Sequence, residues 1–129
     1  MASKIAAINH YRPMIEYGKT VDWKDVAEYI AISTGLNPSE IIAVLLELHQ
    51  AIIYFNRRGH GVRLEGLGTY LPQVNYKGQF DISYRPDGAL KRALNNKFSA
   101  DLINKQHIGM SSEQVVALWN SEHPEDPVT

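Results

Sequence analysis

The sequence predicts an α+β domain: two helices, the second a long one, then a three-stranded antiparallel sheet, a further helix and a C-terminal helical extension. Three observations predict it. Ile41, Val44, Leu45, Leu48, Ile52 and Phe55 recur at threes and fours, the period of a long helix with one broad apolar face. After Gly61 the period changes to two, with Val62 and Leu64 alternating with Arg63 and Glu65, then Phe80, Ile82 and Tyr84 alternating with Asp81, Ser83 and Arg85. Turn residues punctuate these runs at Gly66-Leu67-Gly68 and Lys77-Gly78. At 129 residues the chain is long enough for one domain with a core of its own.

Each element follows from local chemistry. Residues 1–20, interrupted by Pro13 and Gly18, read as an irregular lead-in. Asp22 offers an N-cap with Asp25 behind it, Val26, Tyr29 and Ile30 make an apolar stripe, and Gly35 closes this first helix. Asn37, Pro38 and Glu40 form the next start signal, Glu40 completing a variant of the capping box. The long helix runs to Arg58, where Gly59 stops it and the cations of Arg57 and Arg58 suit the negative pole of its dipole. Pro72 marks its strand as an edge or a bulge, and the hairpin turns near Tyr76-Lys77-Gly78-Gln79. Pro86 or Asp87 opens a third helix bearing Leu90 and Leu94, with Lys91 and Arg92 outward. Ser111 and Gln114 form a capping box before a last short helix through Val115, Leu118 and Trp119, and Pro124 and Pro127 predict an extended acidic end. The division is a lead-in at 1–20, a folded domain at 21–98 and an extension at 99–129.

Charge is laid out unevenly. The net charge is −1, but the middle of the chain holds nine cations (Arg57, Arg58, Arg63, Lys77, Arg85, Lys91, Arg92, Lys97 and Lys105) against four acids. Residues 106–129 hold four acids and no Lys or Arg. Such asymmetry points to a polyanionic partner or to a tail that covers the basic segment, and it is equally consistent with a solvated face.

Several function classes are excluded or unsupported. Without cysteine there is no disulfide framework, thiolate zinc site or cysteine nucleophile. No apolar run approaches bilayer-spanning length and Met1–Tyr11 lacks a signal-peptide pattern, so a cytosolic protein without membrane contact is expected. His10, His49, His60, His107 and His123 show no metal-ligand spacing, and neither metal nor cofactor is expected. Gly59, Gly61, Gly66 and Gly68 run from helix to strand, the reverse of the order in a phosphate cradle. Asp22 and Asp25 are explained by capping. Nothing in the sequence points to an enzyme.

Two stretches resemble a known family. Val62-Arg63-Leu64-Glu65-Gly66-Leu67-Gly68-Thr69-Tyr70 is similar to the Val-x-Leu-x-Gly-Phe-Gly-Thr-Phe run of the bacterial histone-like HU and integration host factor family. Tyr84-Arg85-Pro86-Asp87-Gly88-Ala89-Leu90-Lys91 resembles that family's Phe-Lys-Pro-Gly-Lys-x-Leu-Lys, which opens its final helix. The likeness runs from about Val21 to Asn96. It implies an HU-like fold, an intertwined homodimer and a nucleoid-associated protein that binds double-stranded DNA. The chain departs from the family in its arm. Only 13 residues separate Tyr70 from Tyr84, where the family has about twice as many, and the Arg-Asn-Pro tip is missing. This resemblance therefore implies a short-armed variant that contacts backbone phosphates through Arg57, Arg58, Arg63, Lys77, Arg85, Lys91 and Arg92, without a small-molecule substrate. The alternative is a homodimeric protein-interaction module that kept the fold and lost DNA binding, with Val115-Val116-Ala117-Leu118-Trp119 as an anchor for a partner or as packing on its own dimer.

Overall fold

The structure, a computed structural model, describes the whole chain from Met1 to Thr129. In chain order its elements are α1 (Lys4–Tyr11), β1 (Met14–Ile15), α2 (Trp23–Thr34), α3 (Pro38–Arg57), β2 (Val62–Leu64), β3 (Gly68–Val74), β4 (Phe80–Pro86), α4 (Gly88–Asn96), β5 (Leu102–Ile103), a short 3-10 turn (Lys105–His107) and α5 (Ser112–Glu122). They group into two units. Residues 19–98 form one, called inner only for its place in the middle of the chain, and residues 1–18 and 99–129 together form the other, called outer.

In the inner unit the helix starts are set by side chains that satisfy first-turn amides. Asp22 accepts from the amides of Lys24 and Asp25, both at 3.1 Å, and the Asp25 carboxylate accepts in return from the Asp22 amide. Asn37 caps α3 through the Ser39 amide at 2.9 Å, with Pro38 in the first position. Glu40 does not reach back as the sequence pattern predicts. The Ser39 hydroxyl donates to the Asn37 carbonyl oxygen at 2.6 Å instead, so the cap is completed locally. At the other end the His60 amide donates to the Phe55 carbonyl and the Gly59 amide to that of Asn56, with Gly59 at φ +83°. Only a residue at ease in the left-handed region can close the helix in this way, and α3 stops at Arg57.

By length and composition α3 does match a membrane span, with a mean hydropathy of 1.3 over 18 residues. This corrects the expectation that no segment reaches that length. Its apolar residues are broken into short runs by Glu47, His49 and Gln50, and they become a continuous stripe only on the helix surface. Part of that stripe packs against α2 and β3 within the unit.

The strand order is β2-β3-β4, antiparallel throughout, as the alternation predicts. Pairing of β2 with β3 ends at Val62 and Tyr70, so Pro72 faces only β4, opposite Ile82, and its missing amide breaks no bond on the open side. The hairpin turn is held by Asn75. Its side-chain oxygen accepts from the amides of Lys77 (2.9 Å) and Gln79 (3.0 Å). The register sorts the sheet into two faces. Val62, Tyr70, Pro72, Val74, Phe80, Ile82 and Tyr84 fall on one, and Arg63, Thr69, Gln73, Asp81, Ser83 and Arg85 on the other. Asn56, buried near the end of α3, donates to the carbonyls of His60 (2.9 Å) and Tyr70 (3.2 Å) and so ties helix to sheet. Its own side-chain oxygen is buried without a partner.

The apolar core of this unit is thin. Ala27 and Ile41 are its buried apolar residues, whereas Val44, Phe55 and Phe80 are exposed. α4, capped by Asp87 through the Ala89 amide, has no buried residue, and Leu90 and Leu94 face solvent.

The outer unit corrects the reading of residues 1–20 as irregular. Ser3 caps α1 by accepting from the Ala6 amide at 3.0 Å. One turn apart, Ala7 and Tyr11 are buried against Val115, with Met110, Leu118 and Trp119 around them. Beyond Pro13, β1 pairs antiparallel with β5, Met14 opposite Ile103. Lead-in and extension are therefore one body. The Tyr11 hydroxyl donates to the Glu122 carboxylate, and burial, reinforced by that anionic partner, pushes its pKa up to about 12. The acidic end is not extended either. The capping box of Ser111 and Gln114 starts α5 as predicted, but beyond Glu122 the chain folds back along the helix. The Trp119 indole donates to the Asp126 carbonyl at 2.8 Å, and Asn120 exchanges two bonds with Val128.

Candidate nucleic-acid interface

All seven predicted site residues lie in the inner unit, and the structure places them in three groups. The first is a row across the sheet. Arg63 on β2 is paired with Thr69 on β3, which is paired in turn with Arg85 on β4. Directly opposed residues share a face, so the two guanidinium side chains flank one hydroxyl on the face away from the apolar residues. α4 leaves the sheet beside this row, carrying Lys91 and Arg92, which together line a shallow groove with Ala93, Asn95 and Asn96.

The junction between row and helix is held by Asp87. Its carboxylate accepts from the Ala89 amide at 3.0 Å and the Gly66 amide at 2.9 Å, and its own amide donates to the Leu67 carbonyl. The Tyr84 hydroxyl donates to the same carbonyl at 3.0 Å. Those two amides, with the cations of Arg63 and Arg92 nearby, hold the Asp87 carboxyl below its usual range. Sequence reasoning treats Asp87 only as a helix start. Its second bond, to a turn 21 residues earlier, has no local sequence signal.

The second group sits at the end of α3 and is divided in its chemistry. Arg58 lies over the Tyr54 ring, 3.6 Å from the centroid, and donates to the Tyr54 carbonyl at 2.8 Å. Its charge is thus partly committed within its own helix. Arg57 instead lines a cleft of about 590 Å³ between α3 and the apolar face of the hairpin, with Ile53, Val74, Phe80 and Ile82 among its walls. The third group is Lys77 alone, in the hairpin turn. At about 3.4 Å per residue it stands roughly 20 Å along the strands from the Arg63–Arg85 row. The structure thus joins Arg63, Arg85, Lys91 and Arg92 around one end of the sheet and does not bring Lys77 to them.

None of these cations is spent in an ion pair. The one salt bridge in the chain joins the Met1 amino group to Asp126 at 3.0 Å, in the outer unit. No three His, Asp or Glu side chains converge in a geometry suited to a metal ion.

Comparison with known proteins agrees with this architecture. The family model described as "HU domain fused to wHTH, Ig, or Glycine-rich motif" matches residues 4–101, a span that starts with the first residue of α1. Among solved structures, a point mutant of HU from Thermotoga maritima is similar with a TM-score of 0.50 and 16% sequence identity, covering 57% of this chain and 99% of that one. HU from Thermotoga maritima itself gives 0.47 and 18%, covering 57% and 98%. No curated protein matches the sequence. The family match spans most of the chain: the protein belongs to the family of HU domains fused to a winged helix-turn-helix, an Ig or a glycine-rich motif.

Proposed function

We propose that the protein is a homodimeric, HU-like DNA-binding protein that grips duplex DNA through its phosphates and reads no base edges. The observation that carries this reading is the row of Arg63, Thr69 and Arg85 on the polar face of the sheet, with Lys91 and Arg92 beside it and no ion pair on any of them. Unpaired guanidinium groups on a rigid sheet keep their charge available for phosphate oxygens, and each such contact releases counterions. Binding through them is sequence-tolerant and steeply salt-dependent.

The hairpin supports contact without wrapping. Past the last β2 partners, only residues 71–74 and 80–83 project from the sheet. Four residues reach about 14 Å, which is too short to follow a groove and wedge between base pairs. The thin core supports the dimer. A second copy covers the exposed Val44, Phe55, Phe80, Leu90 and Leu94, which would otherwise leave an apolar surface in water. In a bacterial cell this function places the protein in the cytoplasm, on the nucleoid, as an architectural protein rather than an enzyme.

The second reading, an interaction module without DNA binding, is favoured by the short hairpin and by Asp87 beside the arginine row. Its anchor is weakened by the structure of α5, where Val115 and Trp119 are used in the outer unit's own core. Fluorescence anisotropy with a generic duplex at two salt concentrations separates the readings. Charge reversal at Arg63 and Arg85 is expected to lower affinity at least tenfold and to flatten the log–log salt slope by about two. Equal affinity of the double variant and the wild type would remove this surface from the site. Light scattering tests the dimer independently, and a monomer at micromolar concentration refutes it.

A further inference from the structure

Where α4 leaves the sheet there is a cleft of about 300 Å³, lined by Arg63, Gly68, Thr69, Arg85, Asp87 and Gly88. Its edge at Gly88 is formed by an unusual neighbour. A Cβ built on Gly88 stands 3.2 Å from the Nη1 of Arg92 and 4.0 Å from its Cζ. Side chains on a helix tilt toward its N-terminus, and this one extends a full turn, so that its guanidinium fills the space a side chain at position 88 would take.

We propose that Arg63, Arg85 and Arg92 form one phosphate-binding cleft at the root of α4, with the Thr69 hydroxyl between the first two, and that Gly88 is glycine because its bare backbone admits Arg92. This rests on the DNA-binding reading above and deepens it, by separating the cations that grip a phosphate from those that only surround it. A phosphodiester presents two non-bridging oxygens, and guanidinium groups from β2, β4 and α4 share them as charged donors.

One group opposes an anion there, the Asp87 carboxylate. Both its oxygens are already engaged, Oδ1 with the Ala89 amide and Oδ2 with the Gly66 amide. It takes up the helix N-terminus itself and acts as a positioning residue, fixing the turn that leads into β3 and drawing Arg63 and Arg92 inward. Lys91, one residue earlier and about 100° round the helix, shares a groove with Arg92 further along α4 but does not come within 4 Å of a Cβ at Gly88.

The test is duplex binding by anisotropy at two salt concentrations, with folding checked by circular dichroism. Arg92→Ala is expected to weaken binding about tenfold and to reduce the salt slope by about one. Lys91→Ala is expected to stay within about twofold of the wild type. Adding Gly88→Lys to Arg92→Ala returns a cation to the same place and is expected to restore most of the affinity. Equal losses in Arg92→Ala and Lys91→Ala, or no recovery in the double variant, overturn the cleft. If the wild type binds and Arg92→Ala binds as well, the cleft fails alone. If the wild type binds no duplex at either salt, the DNA-binding reading fails and takes the cleft with it.

Discussion

Gly68 meets the backbone carbonyl of Arg85 so closely that no side chain fits between them. Its φ of +154° lies where residues with a side chain are strained as well. Gly68→Ala must therefore push β3 away from β4 at the rung beside the arginine row. We expect a loss of about 2 kcal/mol or more in urea unfolding, with a weaker duplex affinity in the still-folded fraction. An unchanged urea midpoint would show that the strands yield there without cost.

Arg58 and Arg63 are expected to part company. Arg58 is held by the Tyr54 ring and carbonyl, so Arg58→Ala takes about 0.5–1 kcal/mol from the helix end and changes duplex affinity less than twofold. Arg63→Ala does the opposite, with little effect on unfolding and a loss of several-fold in affinity. Parallel urea and anisotropy titrations of the two variants check the contrast.

Tyr11 supplies an alkaline signature. It is expected to ionise near pH 12, because burial and the Glu122 carboxylate disfavour its phenolate. The folded outer unit thus holds its phenol proton more tightly than the unfolded chain, whose tyrosine titrates near pH 10. The stability this represents is whole below about pH 10 and drains away as pH rises toward 12. In an ultraviolet titration, Tyr11→Phe is expected to abolish the step near pH 12 and no other.

The caps give an acid limb. Asp22, chiefly through the Asp25 amide, and Asp87, chiefly through the Ala89 amide, are held below the usual carboxylate value of 3.8. A depressed carboxylate stabilises the fold above its unfolded pKa, and the contribution fades as pH falls through the folded one. Unfolding followed between pH 5 and pH 2 is therefore expected to show a declining midpoint that is shallower in Asp22→Asn and Asp87→Asn. Acid limbs as steep as the wild type's in both variants would contradict it.

The inner unit was legible because its signals are local. Asp22, Asn37 and Asp87 cap helices within three residues of themselves, and the alternation around Arg63 and Arg85 sets a register that puts them on one face. The row itself followed from pairing, since Arg63 and Arg85 each face Thr69. The outer unit was illegible because its partners are remote. Only Ala7 and Tyr11 mark the buried side of α1, and what they pack on lies more than a hundred residues away at Val115 and Trp119. The tail shows why proline is a poor guide to direction. Pro124 and Pro127 forbid helix, but two side chains of α5, Trp119 and Asn120, decide that the chain turns back. Arg92 faces outward as expected, but its approach to Gly88, four positions earlier, has no sequence signal.

The pairing of α1 with α5 also sets an order of events during synthesis. α1 emerges before α5, yet it is only eight residues long, too short to persist as a helix alone. Its partner surface around Val115 is made about a hundred residues later. At about 5–20 residues per second, the ribosome takes roughly 5–20 s to deliver it, and the whole of residues 19–98 is made in the interval. The outer unit thus closes only once Val115 has emerged, after the domain strung between its halves has had its chance to fold.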